Sequence, residues 1–599
     1  MNHSTPHCHQ VVSSKKMKMP SNLSDTRIDF CDDYMSTAPP NRYFEIRPDS
    51  PLYIEPIATK NFFRKWNQLS RLQRSLVLAT LILIAICCFI YGLSTAFNPP
   101  SNIETKHVVK NSTLLNKLKQ VSTEKEGKGG KQEPESFQRP IFTGPTNAKQ
   151  YAVVQSFKHA WSGYKEHAWG HDNLKPISGS AYDWFALGLT IVDGLDTAYI
   201  MGLTEEFNEG KEWIKNELVF TKNKDVNFFE VTIRVLGSLL TNYHFTGDDM
   251  FLNKAKDLGM RLMTAFSSPS GIPYSDVNLE ARTAHVPEWS HYSSTAEVST
   301  VQLEFRELSR ATNIPSFEDA AALVSQKIHQ LPKKNGLVPI FINPNTGHFL
   351  PHATITLGAR GDSYYEYLLK QWLQTGKSID YLRDDYLTAI EGVRDLLAKR
   401  SNPKKRLFIG ELTAGSEFNK QAFNAKMDHL TCFLPGTLAL GNANGLPDWH
   451  MDMAEDLIHT CYLTYAVHPT FLAPEITHFN IGSGSEDMFT KMADAHSLLR
   501  PEFVESLYVM YQITGNTTYQ DWGWQVYMAI EKYARVQNGY TSLANVKSEK
   551  PPPKDMMESF FLSETLKYLY LLFSDDRYII DLSKFVFNTE AHPLPIHKN

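Results

Sequence analysis

The chain has 599 residues, 42% of them hydrophobic and 21% charged, with a formal net charge of −5. That is too hydrophobic for a disordered chain, and long enough for one large core or several ordinary domains. The mild acidity argues against nucleic acid as a partner, and six cysteines are too few for a small disulfide scaffold.

Residues 1–74 are rich in Ser, Pro, His and charge and show neither helical nor strand periodicity, which predicts a disordered tail. From Leu76 to Leu93 the run LVLATLILIAICCFIYGL holds no charge. About 20 such residues cross a bilayer as a helix, so residues 75–97 are read as a transmembrane signal anchor rather than a buried core helix. The run begins too far into the chain, and lacks too clearly a small-residue cleavage site, for a removable signal peptide. Lys60, Arg64, Lys65, Arg71 and Arg74 precede it, and only Lys106 and Lys110 lie comparably close behind. The positive-inside bias then places the N-terminus in the cytosol and the rest in the lumen, a single-pass type II layout. Residues 98–146, with Pro99-Pro100 and EGKGGKQEPES, read as a flexible lumenal stem. Asn111 in the stem and Asn516 further on open Asn-x-Thr/Ser sequons that this orientation exposes to glycosylation.

From residue 147 to 599 the texture changes to dense, aromatic-rich helical patterning. VTIRVLGSLLTNYHF, AEVSTVQLEFRELSRATN, DSYYEYLLKQWLQTGK and ETLKYLYLLFSDD all place apolar residues at helical spacing. Pro/Gly loops such as KPISGSAYDW and PIFINPNTGHFLPH separate them, and strand-like alternation is confined to such loops. An all-helical domain of this size without an internal linker predicts a closed array of helical hairpins.

Carboxylates in apolar surroundings are the chemical clue. Glu230 follows two Phe residues, with Arg234 one helical turn later. Buried charges of this kind need partners, so a structural ion pair and a catalytic acid both fit the spacing. RPEFVESL sets Arg500, Glu502 and Glu505 around a helix start at Pro501, and ARGDSYYEYLLKQW sets Arg360 before Asp362 at an expected N-cap. Asp428 and His429, then Glu558, Phe560 and Glu564, then Thr589 and Glu590 continue the theme. Capping and core packing compete with catalysis at each position. Together they suggest a pit lined with acids and aromatics, the equipment of glycoside hydrolysis. The sequence holds no HExxH, CxxC, phosphate-loop or GxSxG motif, whereas an oxygen-ligand cation such as calcium is compatible with these residues.

At these motifs the sequence resembles the class I α-1,2-mannosidases, glycoside hydrolase family 47. WGHDNLKPISG, GLTIVDGLDTAYIMGL, NFFEVTIRVLGSLL, GARGDSYYEYLLKQW, KMDHLTCFLPGTLAL, LLRPEFVESLYVMY, MESFFLSETLKYLYLLFSDD and VFNTEAHPLPI run in family order from about residue 150 to 596. The resemblance implies an all-α fold, an (αα)7 barrel. It also implies an inverting, calcium-dependent hydrolase that removes α-1,2-linked mannose from high-mannose N-glycans. Residue by residue it implies Glu230 as the general acid acting through a water, Glu502 as the general base, and Asp362 as a third acid. Thr589 is implied as the calcium ligand, through hydroxyl and carbonyl. Arg234, Glu297, Arg360, His429, Arg500, Glu505, Phe560, Glu564 and Glu590 are implied to line the substrate pocket. Cys432 and Cys461, the only cysteines after residue 146, match the family's disulfide pair.

Arg360 resembles the endoplasmic-reticulum members, where Golgi members tend to have Leu. This implies preferential removal of one mannose, from the middle branch of the nine-mannose glycan, and residence in the endoplasmic reticulum membrane or early Golgi. Gly361 and VDGLD depart slightly from common versions without removing a functional group. Two rival expectations stand beside this one. The first is a glycan-binding degradation receptor on the same fold; the second is a partner-dependent relative acting in degradation.

Overall fold

The computed structural model describes residues 139–414 and 421–597, all within one unit spanning Lys125–Asn599. The expected tail, membrane anchor and most of the stem, with Asn111, lie outside the described residues. Among the described residues no helix is long and apolar enough to cross a membrane.

Among the described residues, fourteen helices form seven pairs. α2 (Leu189–Ile200) packs on α3 (Thr204–Asn216), α4 (Gly237–Thr246) on α5 (Asp249–Leu262), and α6 (Gln302–Thr312) on α7 (Ser316–Gln330). α8 (Asp362–Gln374) packs on α9 (Asp380–Gly392), α10 (Leu434–Ala443) on α11 (Trp449–Ala466), and α12 (Glu502–Thr514) on α13 (Thr518–Tyr533). The last pair joins α14 (Leu566–Leu572) to α1 (Ala148–His167), bringing the two ends of the unit together. The even-numbered helices touch in succession from α2 to α14, and the turn leading into α14 (Phe561–Thr565) touches α2. The ring therefore closes as an (αα)7 barrel.

Burial follows the two layers. In the inner helix α8 every residue from Ser363 to Gln374 is buried, whereas outer α3 buries only Phe207, Gly210 and Ile214. An outer helix needs one apolar stripe, and an inner helix is covered all round. Short antiparallel pairings of two to four residues cap the helix ends. They occur also at Asp225–Asn227, Asp276–Asn278 and Glu411–Ala414, where the sequence shows no alternation because such strands are too short to carry it.

The C-terminal hairpin, Phe585–Phe587 with Pro593–Pro595, contacts the inner helices α8, α4 and α6. Its turn carries Thr589 and Glu590 into the barrel. Cys432 and Cys461 form a disulfide, linking the turn before α10 to outer helix α11.

Candidate active site

Glu230 lies in a short helix, Phe228–Val231, whose N-cap Asn227 accepts the Glu230 N–H at 2.9 Å. The same Asn227 donates to Glu297 at 3.3 Å. The following segment, Thr232–Leu236, is a π-helical turn. Such turns cost helical regularity and recur at functional sites; this one carries Arg234. Arg234 Nε donates to Glu230 Oε2 at 2.9 Å, and its Nη1 meets Glu590 and, at 3.5 Å, Asp193. A second π-helical turn, Phe561–Thr565, carries Glu564. Between them the Phe560 ring faces two guanidinium groups, Arg234 at 5.9 Å and Arg500 at 5.8 Å.

Glu502 is the first residue of α12, where the helix dipole favours an anion. His429 Nδ1 lies 2.6 Å from its Oε2, and His429 Nε2 lies 2.7 Å from the Tyr465 hydroxyl. A carboxylate only accepts, so His429 Nδ1 carries a proton and donates to Glu502. Burial alone would raise the Glu502 pKa, but the His429 hydrogen bond and the charges of His429 and Arg500 hold it below the ordinary carboxylate range. Arg500 is in turn fixed by Glu475 at 2.6 Å. Both Glu502 and Arg500 keep 14% of their side-chain surface exposed, so they face the pit rather than the core.

Asp362 sits one residue further into its helix than the N-cap position expected from the sequence. Gly361 holds the half-in position, and Asp362 is the first helical residue, its Oδ1 accepting the N–H of adjacent Ser363 at 2.9 Å. Burial, then the neighbouring Glu366, Glu502 and Asp428 carboxylates, push its pKa up to about 7. Arg360 precedes it with φ +71°, a left-handed conformation that costs a non-glycine residue energy. Its guanidinium lies 5.1 Å from the Trp289 ring and 5.8 Å from Phe341.

At the floor, Thr589 Oγ1 donates to Glu366 Oε2 at 2.8 Å. Lys370 donates to Glu366 at 2.5 Å and to Glu505 at 3.4 Å. Burial and mutual repulsion raise Glu505 to about 7, and Glu564 and Glu590 well above the usual range. Glu297 is raised to about 7, by burial first and then by Glu230. Among the described residues no three His, Cys, Asp or Glu side chains converge as direct metal ligands.

Glu230, Arg234, Glu590, Phe560 and Arg500 are therefore joined by direct contacts or a shared ring; Glu502, bonded to His429, is linked to Arg500 by charge, and Thr589 is bonded to Glu366, which Lys370 ties to Glu505. Asn516 lies apart, exposed in the α12–α13 connection, with Oδ1 accepting the Thr518 N–H at 3.0 Å. The sequence reading passed over Glu366, Lys370, Tyr465 and Glu475. An i, i+4 Glu–Lys pair on a helix that is otherwise wholly buried was the available signal for the first two.

A family profile described as Glycosyl hydrolase family 47 matches residues 156–596. The chain is 45% identical to the endoplasmic reticulum mannosyl-oligosaccharide 1,2-alpha-mannosidase of Mus musculus, over 90% of this chain and 94% of that one. It is 55% identical to the protein of the same name from Rattus norvegicus, over 76% of this chain and 69% of the other. Among solved structures, an alpha-1,2-mannosidase from Trichoderma reesei superposes with a TM-score of 0.70 at 27% identity, covering 76% of this chain and 100% of that one.

Proposed function

The chain belongs to glycosyl hydrolase family 47, the class I α-1,2-mannosidases, and from that membership we propose that it removes terminal α-1,2-linked mannose from high-mannose N-glycans with inversion at the anomeric carbon. The observation that carries the reading is the contrast between two acids of one pit. Glu502 is held ionised by His429 and Arg500, while Asp362 keeps its proton to about pH 7. Opposed protonation states are what paired acid–base chemistry requires at neutral pH.

Glu502 accepts the proton of the attacking water as that water bonds to the anomeric carbon. The bond to the leaving sugar's oxygen breaks, and the oxygen takes a proton delivered from Glu230 through a water. Arg234 orients the Glu230 carboxyl, and Phe560 offers an apolar face beneath the sugar. Residues 75–97 anchor the protein in a membrane with residues 147–599 in the lumen, a reading that rests on the uncharged run and its basic flank; the names of the mouse and rat relatives support the endoplasmic reticulum as the compartment. Arg360, braced by Trp289 and Phe341, provides donors for a branch sugar and favours removal of a single mannose.

Calcium fits the floor by the chemistry of the donors. Thr589 donates to Glu366 and is followed in the chain by Glu590; Glu505 feels the charge of Glu366 and Glu564 that of Glu590, with Lys370 and Arg234 paired into this group of four acids. That surplus of oxygen and negative charge suits a hard cation held by the Thr589 hydroxyl and carbonyl with water. When bound, it would bind and orient sugar hydroxyls.

One observation favours a second division of the proton work: Asp362 bears the proton, whereas Glu230 is already ion-paired with Arg234. A substrate with an activated leaving group, α-mannosyl fluoride, separates the two, because departing fluoride needs no proton from the enzyme. Glu230→Gln is expected to recover most of its lost rate on the fluoride, and Glu502→Gln none. Recovery by Asp362→Asn instead would move the donor role to Asp362, and recovery by neither would overturn this acid assignment. Donation by Asp362 predicts in addition that the rate on glycan falls as pH rises through about 7, where Asp362 loses its proton, and that Asp362→Asn abolishes that limb; donation by Glu230 predicts no limb that depends on Asp362.

A further inference from the structure

Beneath Arg234 runs a second string of charges that does not open onto the pit. Asp193 and Asp196 lie one turn apart on α2, Lys567 on α14 and His592 at the base of the C-terminal hairpin. All four side chains are fully buried. His592 presents Nε2 to Asp193 Oδ1 at 3.1 Å and Nδ1 to Asp196 Oδ1 at 3.2 Å. Asp196 Oδ2 takes Lys567 Nζ at 2.7 Å, and Lys567 also donates to the Ala591 carbonyl at 2.7 Å.

A carboxylate only accepts, so Nε2 carries a hydrogen and donates to Asp193; Nδ1 faces Asp196 at ion-pair distance without hydrogen-bond alignment, and the two buried carboxylates favour the charged ring, raising its pKa against the opposing effect of burial. The ring is fully buried, with a carboxylate facing each of its nitrogens. It packs on α4 where Gly237 leaves room, and a Cβ there would stand 3.0 Å from His592 Cδ2. Buried ion pairs are seldom worth more to stability than apolar residues of the same shape, so this arrangement calls for a reason other than folding energy. The upper end of the string supplies one. Asp193 Oδ2 takes the Ser559 hydroxyl at 2.5 Å and faces Arg234 Nη1 at 3.5 Å, and Arg234 holds Glu230.

We infer that His592 is a positioning residue: a buried cation that, through Asp193, sets the rotamer of Arg234 and hence the direction of the Glu230 carboxyl. The inference rests on the reading of Glu230 as part of the proton-transfer machinery. His592 itself touches no pit-facing atom of Glu230 or Glu502; its action is relayed.

The test is a double-mutant cycle on the full-length protein, with kcat and KM measured on a defined nine-mannose glycan. His592→Asn retains a donor toward Asp193 but removes the charge. It is expected to lower kcat about tenfold or more while KM changes less than about threefold, as a small misplacement of a catalytic group does. In a Glu230→Gln background the same replacement is expected to change kcat by less than about twofold, because the group it positions no longer works. Ser559→Ala, which removes the bond to Asp193 and a 3.4 Å bond accepted from Arg234 Nη1 with little packing change, loosens the same Asp193–Arg234 link, should follow the same pattern more weakly, and serves if His592→Asn does not fold. Equal factors in both backgrounds, or a rise in KM with kcat unchanged, would overturn the relay. If Glu230→Gln alone left the rate intact, the reading of Glu230 would fail instead.

Discussion

Replacing Glu502 with Gln is expected to lower kcat by about 10²–10⁴-fold, the usual contribution of a general base, with little change in KM. Gln keeps the shape and can still accept from His429 Nδ1, which now lies 2.6 Å from the carboxylate. What it cannot do is take a proton from water. The surroundings of Glu502 show why the ionised form is the resting one. It begins α12, lies between His429 and Arg500, and is held below the ordinary carboxylate range against the opposing effect of burial. Initial rates of mannose release, wild type against variant, make the comparison. A variant within about threefold of wild type would remove Glu502 from the chemistry, since loss of a base cannot be that small.

Removing the disulfide by Cys432→Ser with Cys461→Ser is expected to cost about 3–4 kcal/mol of stability, the loop-closure contribution for a bridge of this span. The two cysteines are 29 residues apart in sequence. The bridge fastens the turn His429–Phe433 to the outer layer, and that turn also presents His429 to Glu502. The double variant should therefore inactivate faster at elevated temperature, with kcat at 25 °C falling in parallel with loss of His429 order. Unchanged inactivation kinetics would show that packing alone holds the turn.

Much of the barrel was legible because inner and outer helices need different patterns. The run DSYYEYLLKQW is apolar or aromatic around most of its circumference, and the structure buries it on all sides as α8. The Glu230–Arg234 spacing likewise predicted a contact that the structure makes at 2.9 Å. The π-helical turns were not legible, since one extra residue per turn leaves no mark on a period judged over a dozen residues. Asp362 was read one position too early because Asp is a good N-cap in its own right, whereas Gly361 takes that place here. The string from Asp193 to His592 joins residues about 400 positions apart. Only VDGLD, two acids inside an apolar helix, hinted at one end of it.

The most direct measurement is digestion of a defined nine-mannose glycan by the purified protein, followed by identification of the products. The account predicts release of one mannose, from the middle branch, that stops on addition of a chelator and resumes with calcium. Glycan that binds but is not cut, as a degradation receptor would leave it, or release indifferent to chelation, would contradict it.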